Sequence, residues 1–285
     1  MIYSAVQAVI KSVIRAAING DGGYTFVNAE AETLVAAMSV QPSAARKQLI
    51  DQLITSLKSA GIWSVLDNLQ VYAAHDSQAA LLNWKAPGVN DGSLVNSLVF
   101  TADLGFKGDG STSYINTNFN PTDGGLNFAQ DSASWGVWLD QHDSAGTADA
   151  GQLQGAFTSS PAWGTFVKHY NSTTPGQEVA ARDNNGSTVN FTSAVASHLG
   201  LCTVDRASSS EFHAWRNGTD LGASLQTSVA PQNKDFFALA ANGASGAANF
   251  IPGTAAVSFA GASFAASQTA LYNALYTYLH AIGAV

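Results

Sequence analysis

The feature that most limits how this chain can fold is a change of hydrophobic period near Ala86. Before it, apolar residues recur every three or four positions, as one stripe of a helix requires. Val6, Val9, Ile10, Val13, Ile14, Ala17 and Ile18 form the first stripe, and "NGDGG", Asn19 to Gly23, ends it. Asn28 stands where it would cap a second helix, "AEAETLVAAM", whose first turn holds Glu30 and Glu32 where the macrodipole favours acids. Pro42 opens a third, in which Leu49, Ile50, Leu53, Ile54 and Leu57 share a face before Gly61 closes it. Ile62 to Lys85 reads as short helical turns with one brief extended piece at Gln70 to Ala73. Residues 1–85 are therefore expected to form a small helical module. So short a bundle has little core of its own, which leaves two uses for its first stripe: packing within the chain, or contact with other subunits or a larger assembly.

Beyond the linker-like "KAPGVNDGS", residues 86–285 change texture: Gly, Ser, Thr and Asn become abundant and the helical spacing does not return until residue 266. Short runs of strand type follow one another, among them "SYINTNF", "SWGVWLD", "GTFVKHY", "HLGLCTV", "EFHAWRN", "DFFALAA" and "AAVSFAGASF", with turn clusters such as "NPTDGG" and "DNNG" between them. That rhythm predicts an antiparallel β-sandwich. Asn217-Gly218 is the strongest hairpin signal, because both central residues of a type I′ turn need positive φ. Residues 266–283 regain helical spacing, with Ala270, Leu271, Ala274, Leu275, Tyr278 and Leu279 on one face. The expected fold is mostly β, a sandwich preceded by the helical module and closed by a carboxy-terminal helix.

Composition narrows the function. An apolar fraction of 46% against 11% charged residues, over 285 residues, describes a folded chain with a sizeable core. Twenty acidic and twelve basic residues give a net charge of -8, and the basic residues are scattered singly, so no patch exists to neutralise a phosphate backbone and no nucleic-acid partner is expected. Lys11 and Arg15 interrupt the first apolar segment before signal-type or membrane-spanning length, so neither a signal peptide nor membrane insertion is expected. Cys202 is the single cysteine, which excludes an intramolecular disulfide and a cysteine-rich metal site.

Three segments carry a likeness to a known family. Trp215, Arg216, Asn217 and Gly218 match a "Y-V-D/N-G" hairpin, "LAANGASGAANFIPGT" matches the Gly/Asn-rich loop that follows it, and "AAVSFAGASF" matches the strand that closes the sheet. In that order they resemble the carboxy-terminal half of concanavalin A-like, laminin-G-type jelly rolls. Phe100 to Pro121 looks like the first strand of the same fold as it occurs in bacteriophage and prophage virion proteins, and Arg46 to Trp84 is similar to the segment preceding it there. The resemblance covers roughly residues 45–285. It implies a non-enzymatic virion surface protein, a tail fibre, spike or capsid decoration assembled in the host bacterial cytoplasm. The helical module would join other virion proteins, the sandwich would contact host surface polysaccharide, and a closed homo-oligomer is expected, with a trimer as the first expectation. Laminin-G-type domains often carry calcium on a rim loop, yet this sequence shows no dense aspartate loop of the kind a tight site needs, and no cofactor is expected.

Chemistry is sparse. Glycan hydrolases of this fold use a Glu-x-Asp-x-Glu type cluster, because retaining hydrolysis needs two carboxylates about 5 Å apart. The four glutamates here, at 30, 32, 178 and 211, have no carboxylate two or four residues away in the β-region. A depolymerase would need aspartates distant in sequence, such as Asp140 and Asp183, and a purely structural decoration without ligand is the third reading. No Gly-x-Ser-x-Gly elbow accompanies the histidines, "DQHD" at Asp140 to Asp143 is a chance density of ligand types, and "GDGS" at Gly108 to Ser111 reads as a turn. Sugar recognition instead needs aromatic faces beside planar polar groups. Strand alternation puts Trp138 and Asp140 opposite Trp135, Val137 and Leu139, and separates His213 and Trp215 from Phe212, Ala214 and Arg216. Trp138, Asp140, His213 and Trp215 are thus candidates for one accessible face, with His142 beside them and Asp183, Asn184 and Asn185 of "RDNNG" as a polar rim; burial of the tryptophans between the sheets is the alternative.

Overall fold

The computed structural model describes residues 23–142, 154–158, 164–170, 177–193 and 199–285. The first apolar stripe, Val6 to Ile18, lies outside the described residues. Among the described residues three α-helices are formed: α1 (Ala29–Ala36), α2 (Ala44–Ser59) and α3 (Gln268–Ile282). The strands among the described residues are β1 (Leu66–Val71), β2 (Ser93–Val95), β3 (Val99–Thr101), β4 (Gly105–Lys107), β5 (Tyr114–Asn116), β6 (Ala133–His142), β7 (Gln154–Phe157), β8 (Gly164–Tyr170) and β9 (Gln177–Asn185). They continue as β10 (Val189–Ser193), β11 (Gly200–Arg206), β12 (Phe212–Arg216), β13 (Thr219–Ser224), β14 (Phe237–Ala238), β15 (Ala241–Gly243), β16 (Gly246–Ala248) and β17 (Gly253–Gly261).

They make two sheets. The first runs β13-β12-β11-β6-β17-β4-β3 with β1 also on β17, and the second runs β10-β9-β8-β7-β14-β5-β2 with β15 on β7 and β16 on β15. Among the described strands pairing is antiparallel except for the single register Asn242 to Ala156. The sheets pack face to face as a sandwich. Trp135 of β6 meets Phe236 at 5.4 Å between ring centroids, and Phe119, Phe128 and Phe236 meet one another edge to face. Cys202, Val204 and Phe212 are buried with them on the inner side of the first sheet. The fold class read from the sequence is the one observed.

The helices form a third layer. α3 lies across the outer face of the first sheet: Gln268 donates to Ser134 and Asp205, Thr203 donates to Gln268, and Tyr272 stacks on Trp138. Asp205 also accepts from Ser263 and from the Phe264 amide, so one buried carboxyl fixes the start of the helix to the sheet. α2 docks beside α3, where Tyr278 meets Trp84 edge to face and Arg46 donates to the Tyr278 hydroxyl. Of the face that its spacing predicts, Leu271, Leu275, Tyr278 and Leu279 are buried, Ala274 is half-buried and Ala270 is exposed.

Three local expectations change. The sequence predicts short helical turns to residue 85 with one extended piece at Gln70 to Ala73, but the strand is longer and starts earlier, at Leu66–Val71, paired with Val257 to Gly261. It is buried on both faces, so its apolar residues do not alternate. Its polar residues are satisfied inside: Gln70 donates to the carbonyls of Asn90 and Thr117. Asn28 precedes α1 but does not cap it, because its amide turns away to Asp51 and Thr55. "DFFALAA" is broken into two short strands at Leu239, whose φ is 66°. The hairpin signal holds, with φ of 48° at Asn217 and 73° at Gly218. A Cβ at position 218 would lie 3.0 Å from that of Tyr272, so glycine serves both the turn and the close approach of α3.

Candidate functional site

The side chains that alternation places on the outer face of β6 come out under the carboxy-terminal helix. Trp138 is 3% exposed and lies parallel to Tyr272, with ring centroids 5.5 Å apart and planes 3° from coplanar. It is buried, but between sheet and helix and not between the two sheets. From Tyr272 the stack continues along one side of α3: Tyr276 follows at 5.9 Å and His280 at 5.7 Å beyond it. These residues recur every four positions, so successive turns of the helix bring their rings into register. Tyr276 is 43% exposed, and a row of aromatic rings therefore runs from the sheet out to solvent.

Trp138 also belongs to the wall of a cleft of about 490 Å³ beside that row, together with Leu139, Asp140, Gln141, Leu199 and Ala284. Asp140 lines it at 8% exposure, and burial pushes its carboxyl up to about 6. An acid whose pKa is raised in the folded state stabilises the fold fully below its unfolded value, and that contribution is lost as pH rises through the folded value. Asp140 should therefore take away about 2–3 kcal/mol of stability between pH 4 and pH 7. Urea unfolding of Asp140→Asn across that range is expected to lack this part of the slope and to give the more stable protein at pH 7. Equal slopes for the two proteins would show the carboxyl to be freely solvated.

The remaining predicted residues separate. His213 and Trp215 point outward on β12 and are half-buried; both oxygens of Asp220 lie 3.0 Å from His213 Nδ1, which makes a cross-strand pair with β13. The ring of His213 is 6.4 Å from that of Trp215. Asp183, Asn184 and Asn185 do not form a rim: all three are buried at a bulge where β9 fits one more residue than β8. Asn184, at φ 49°, donates to the carbonyls of Ala129 and Gln130 and accepts from Thr165, while Asn185 accepts from the Asp183 amide. A polar composition signals a turn here, but the Asn184 and Asn185 amides find their partners inside the sandwich, while both Asp183 carboxyl oxygens are buried without a hydrogen-bond partner. Burial also pushes the Asp183 carboxyl well above its ordinary range, offset only in part by Arg206, which donates to Asp183's own carbonyl. Asp140 and Asp183 thus lie in different environments, one in the outer cleft and one in the interior, and do not flank a common bond.

The side chain of His142 lies outside the described residues, as does Asp143, so "DQHD" is described only in part. Among the described residues no group of three or more His, Cys, Asp or Glu is placed to hold a metal ion. "GDGS" is a turn, as read: Asp109 accepts from the amides of Ser111, Thr112 and Ser113 and from the Thr112 hydroxyl, which hold its carboxyl well below the usual range. No helix of the described residues is long and apolar enough to cross a membrane. The sequence reading missed Tyr272, Tyr276 and His280. Their four-residue spacing, one position on from the buried Leu271 and Leu275, is the available signal, and it lies off the apolar face that helical periodicity marks.

No protein-family model matches the chain, and no curated protein matches it in sequence. Similar solved structures include the binding domain of botulinum neurotoxin serotype D, at 9% identity and a TM-score of 0.50, covering 76% of this chain and 52% of that one. Domain 4 of AbnA, an extracellular GH43 arabinanase from Geobacillus stearothermophilus, in complex with arabinotriose, reaches 0.41 at 11% identity over 72% of this chain and 100% of that one. The CBM40 of a Ruminococcus gnavus IT-sialidase, bound to alpha2,3 sialyllactose, reaches 0.34 at 12% identity over 46% and 76%. This chain thus spans about half the length of the toxin domain, whose likeness shows the fold; the other two are too distant to carry an argument. The fold is an antiparallel β-sandwich of the jelly-roll kind with helices at both ends of the described chain.

Proposed function

We propose that the protein is a non-enzymatic glycan-binding module exposed on the surface of a bacteriophage particle. One observation carries the binding half of this reading: the aromatic row Tyr272, Tyr276 and His280 starts on Trp138, which with Asp140 lines the cleft. Aromatic rings pack against the C–H faces of sugars, and a carboxyl accepts from their hydroxyls. The particle half rests on the resemblance of segments 46–84 and 100–121 to virion proteins. In this reading the amino-terminal helices attach the protein to its neighbours, in a closed oligomer, and the sandwich faces outward.

The test of the binding half is a glycan array probed with the full chain, followed by titration of the best ligand against Tyr276→Ala. Loss of one stacking ring should weaken binding about tenfold or more. Tyr276 is solvent-facing, so the variant should unfold like the parent. Burial of Trp138 beneath Tyr272 favours a second reading, a decoration protein without ligand. A blank array with particles that lose stability when the protein is removed would select it.

A further inference from the structure

The charge around the cleft bears on what kind of glycan fits, an inference that rests on the glycan-binding reading above. We propose that the cleft selects an uncharged, hydroxyl-rich sugar and excludes acidic glycans, with Asp140 as the selecting group. Asp140 is the single charged side chain among the described residues that line it; the other lining side chains are those of Trp138, Leu139, Gln141, Leu199, Ala284 and Val285, with Gly200. Recognition of a uronate, sialate or phosphate needs a cation within reach, preferably an arginine fork.

The arginine that donates to this wall, at the Leu199 carbonyl, is not presented to a ligand. Arg216 alternates onto the inner side of the first sheet with Cys202, is 1% exposed, and donates from within to the carbonyl of Leu199. An acidic sugar entering the cleft would set its own charge against the Asp140 carboxylate in a partly desolvated space, where like charges repel more strongly than in water. The net charge of -8 acts in the same direction at longer range. A neutral sugar meets none of these costs. Its hydroxyls donate to the two oxygens of Asp140, and Gln141 offers both an amide donor and a carbonyl acceptor nearby.

The experiment is calorimetric titration of the full chain at pH 7 with two sets of probes. Neutral probes are cello-, manno- and galacto-oligosaccharides; acidic probes are oligogalacturonates and sialylated lactose. Binding confined to the neutral set, weakened about tenfold by Asp140→Asn, is the expected result. That variant is expected to be the more stable at pH 7, so a loss cannot be assigned to misfolding. Acidic probes binding as well as neutral ones, with Tyr276→Ala abolishing both, would overturn the charge selection while leaving the glycan reading intact. Neutral probes binding unchanged to Asp140→Asn would remove Asp140 from the role. Failure of every probe in both sets, together with a blank array, would overturn the glycan reading and this inference with it.

Discussion

Replacing Gly105 with alanine should destabilise the protein by about 4 kcal/mol, the sum of a strained backbone and an overpacked contact. Gly105 opens β4 at φ +120°, a region that side chains rarely adopt, and a Cβ there would lie 2.1 Å from the carbonyl oxygen of Ala255. The obstacle is main chain, and it belongs to β17, which also carries the pairings to β1 and β6. No side-chain rotation can relieve the contact, so either β4 or β17 must move. The next residue, Phe106, is fully buried against Tyr72 and Phe100, and would be displaced with it. In a domain of this size the expected fall in Tm is roughly 10 °C. Gly124→Ala is the control, since nothing lies within 4 Å of a Cβ at that position. Thermal unfolding of both variants checks the argument, and equal Tm values for the two would refute it.

Asp51→Ala should follow at about 3 kcal/mol, because it strips the partners from several buried donors at once. Asp51 sits in the middle of α2 at 1% exposure and accepts from the Val27 amide at 2.6 Å, the Asn28 amide at 3.0 Å, the Asn28 side chain at 2.6 Å and the Tyr24 hydroxyl at 2.9 Å. Burial alone would raise its pKa, but these bonds outweigh burial and hold the carboxyl below its ordinary value. Tyr24 is correspondingly pushed up to about 12, by burial first and by this carboxylate second. The sign for a depressed acid is that its stabilisation is present above the unfolded pKa and is lost as pH falls through the folded one. Asp51→Ala should therefore differ most from the parent at neutral pH and approach it in strong acid. Denaturant titration at two pH values measures this, with limited proteolysis between residues 24 and 40 as a local readout. A variant within 1 kcal/mol of the parent at pH 7 would mean that water replaces the lost acceptor and that the 24–28 segment is not held through Asp51.

The alternation of "SWGVWLD" and "EFHAWRN" was enough to divide inner from outer residues on β6 and β12, and Asn217-Gly218 was enough to place the hairpin between β12 and β13. Those features are local, and local chemistry dictates them. What covers the outer face is not local. In sequence Trp138 reads either as accessible or as buried between the sheets, because nothing in its own strand shows that Tyr272, more than a hundred residues later, stacks on it from outside. Likewise "RDNNG" has the composition of an exposed turn, and only the β9 bulge, set by pairing with β8, turns its amides inward. β1 was hidden for the opposite reason: a strand buried on both sides has no alternation to read. The candidate site was legible in half, through Trp138 and Asp140. Its exposed half, Tyr276 and His280, lies on the helix face that burial arguments ignore.

The central claim is that sugars are bound on the outer face of the first sheet, where α3 and the Asp140 cleft meet. A crystal structure of the complete chain with the strongest array ligand tests it most directly. The account predicts a sugar ring packed against Tyr272 or Tyr276, with a hydroxyl donating to Asp140. A ligand seated elsewhere, on the second sheet or at the His213 and Trp215 edge with the cleft empty, would contradict it.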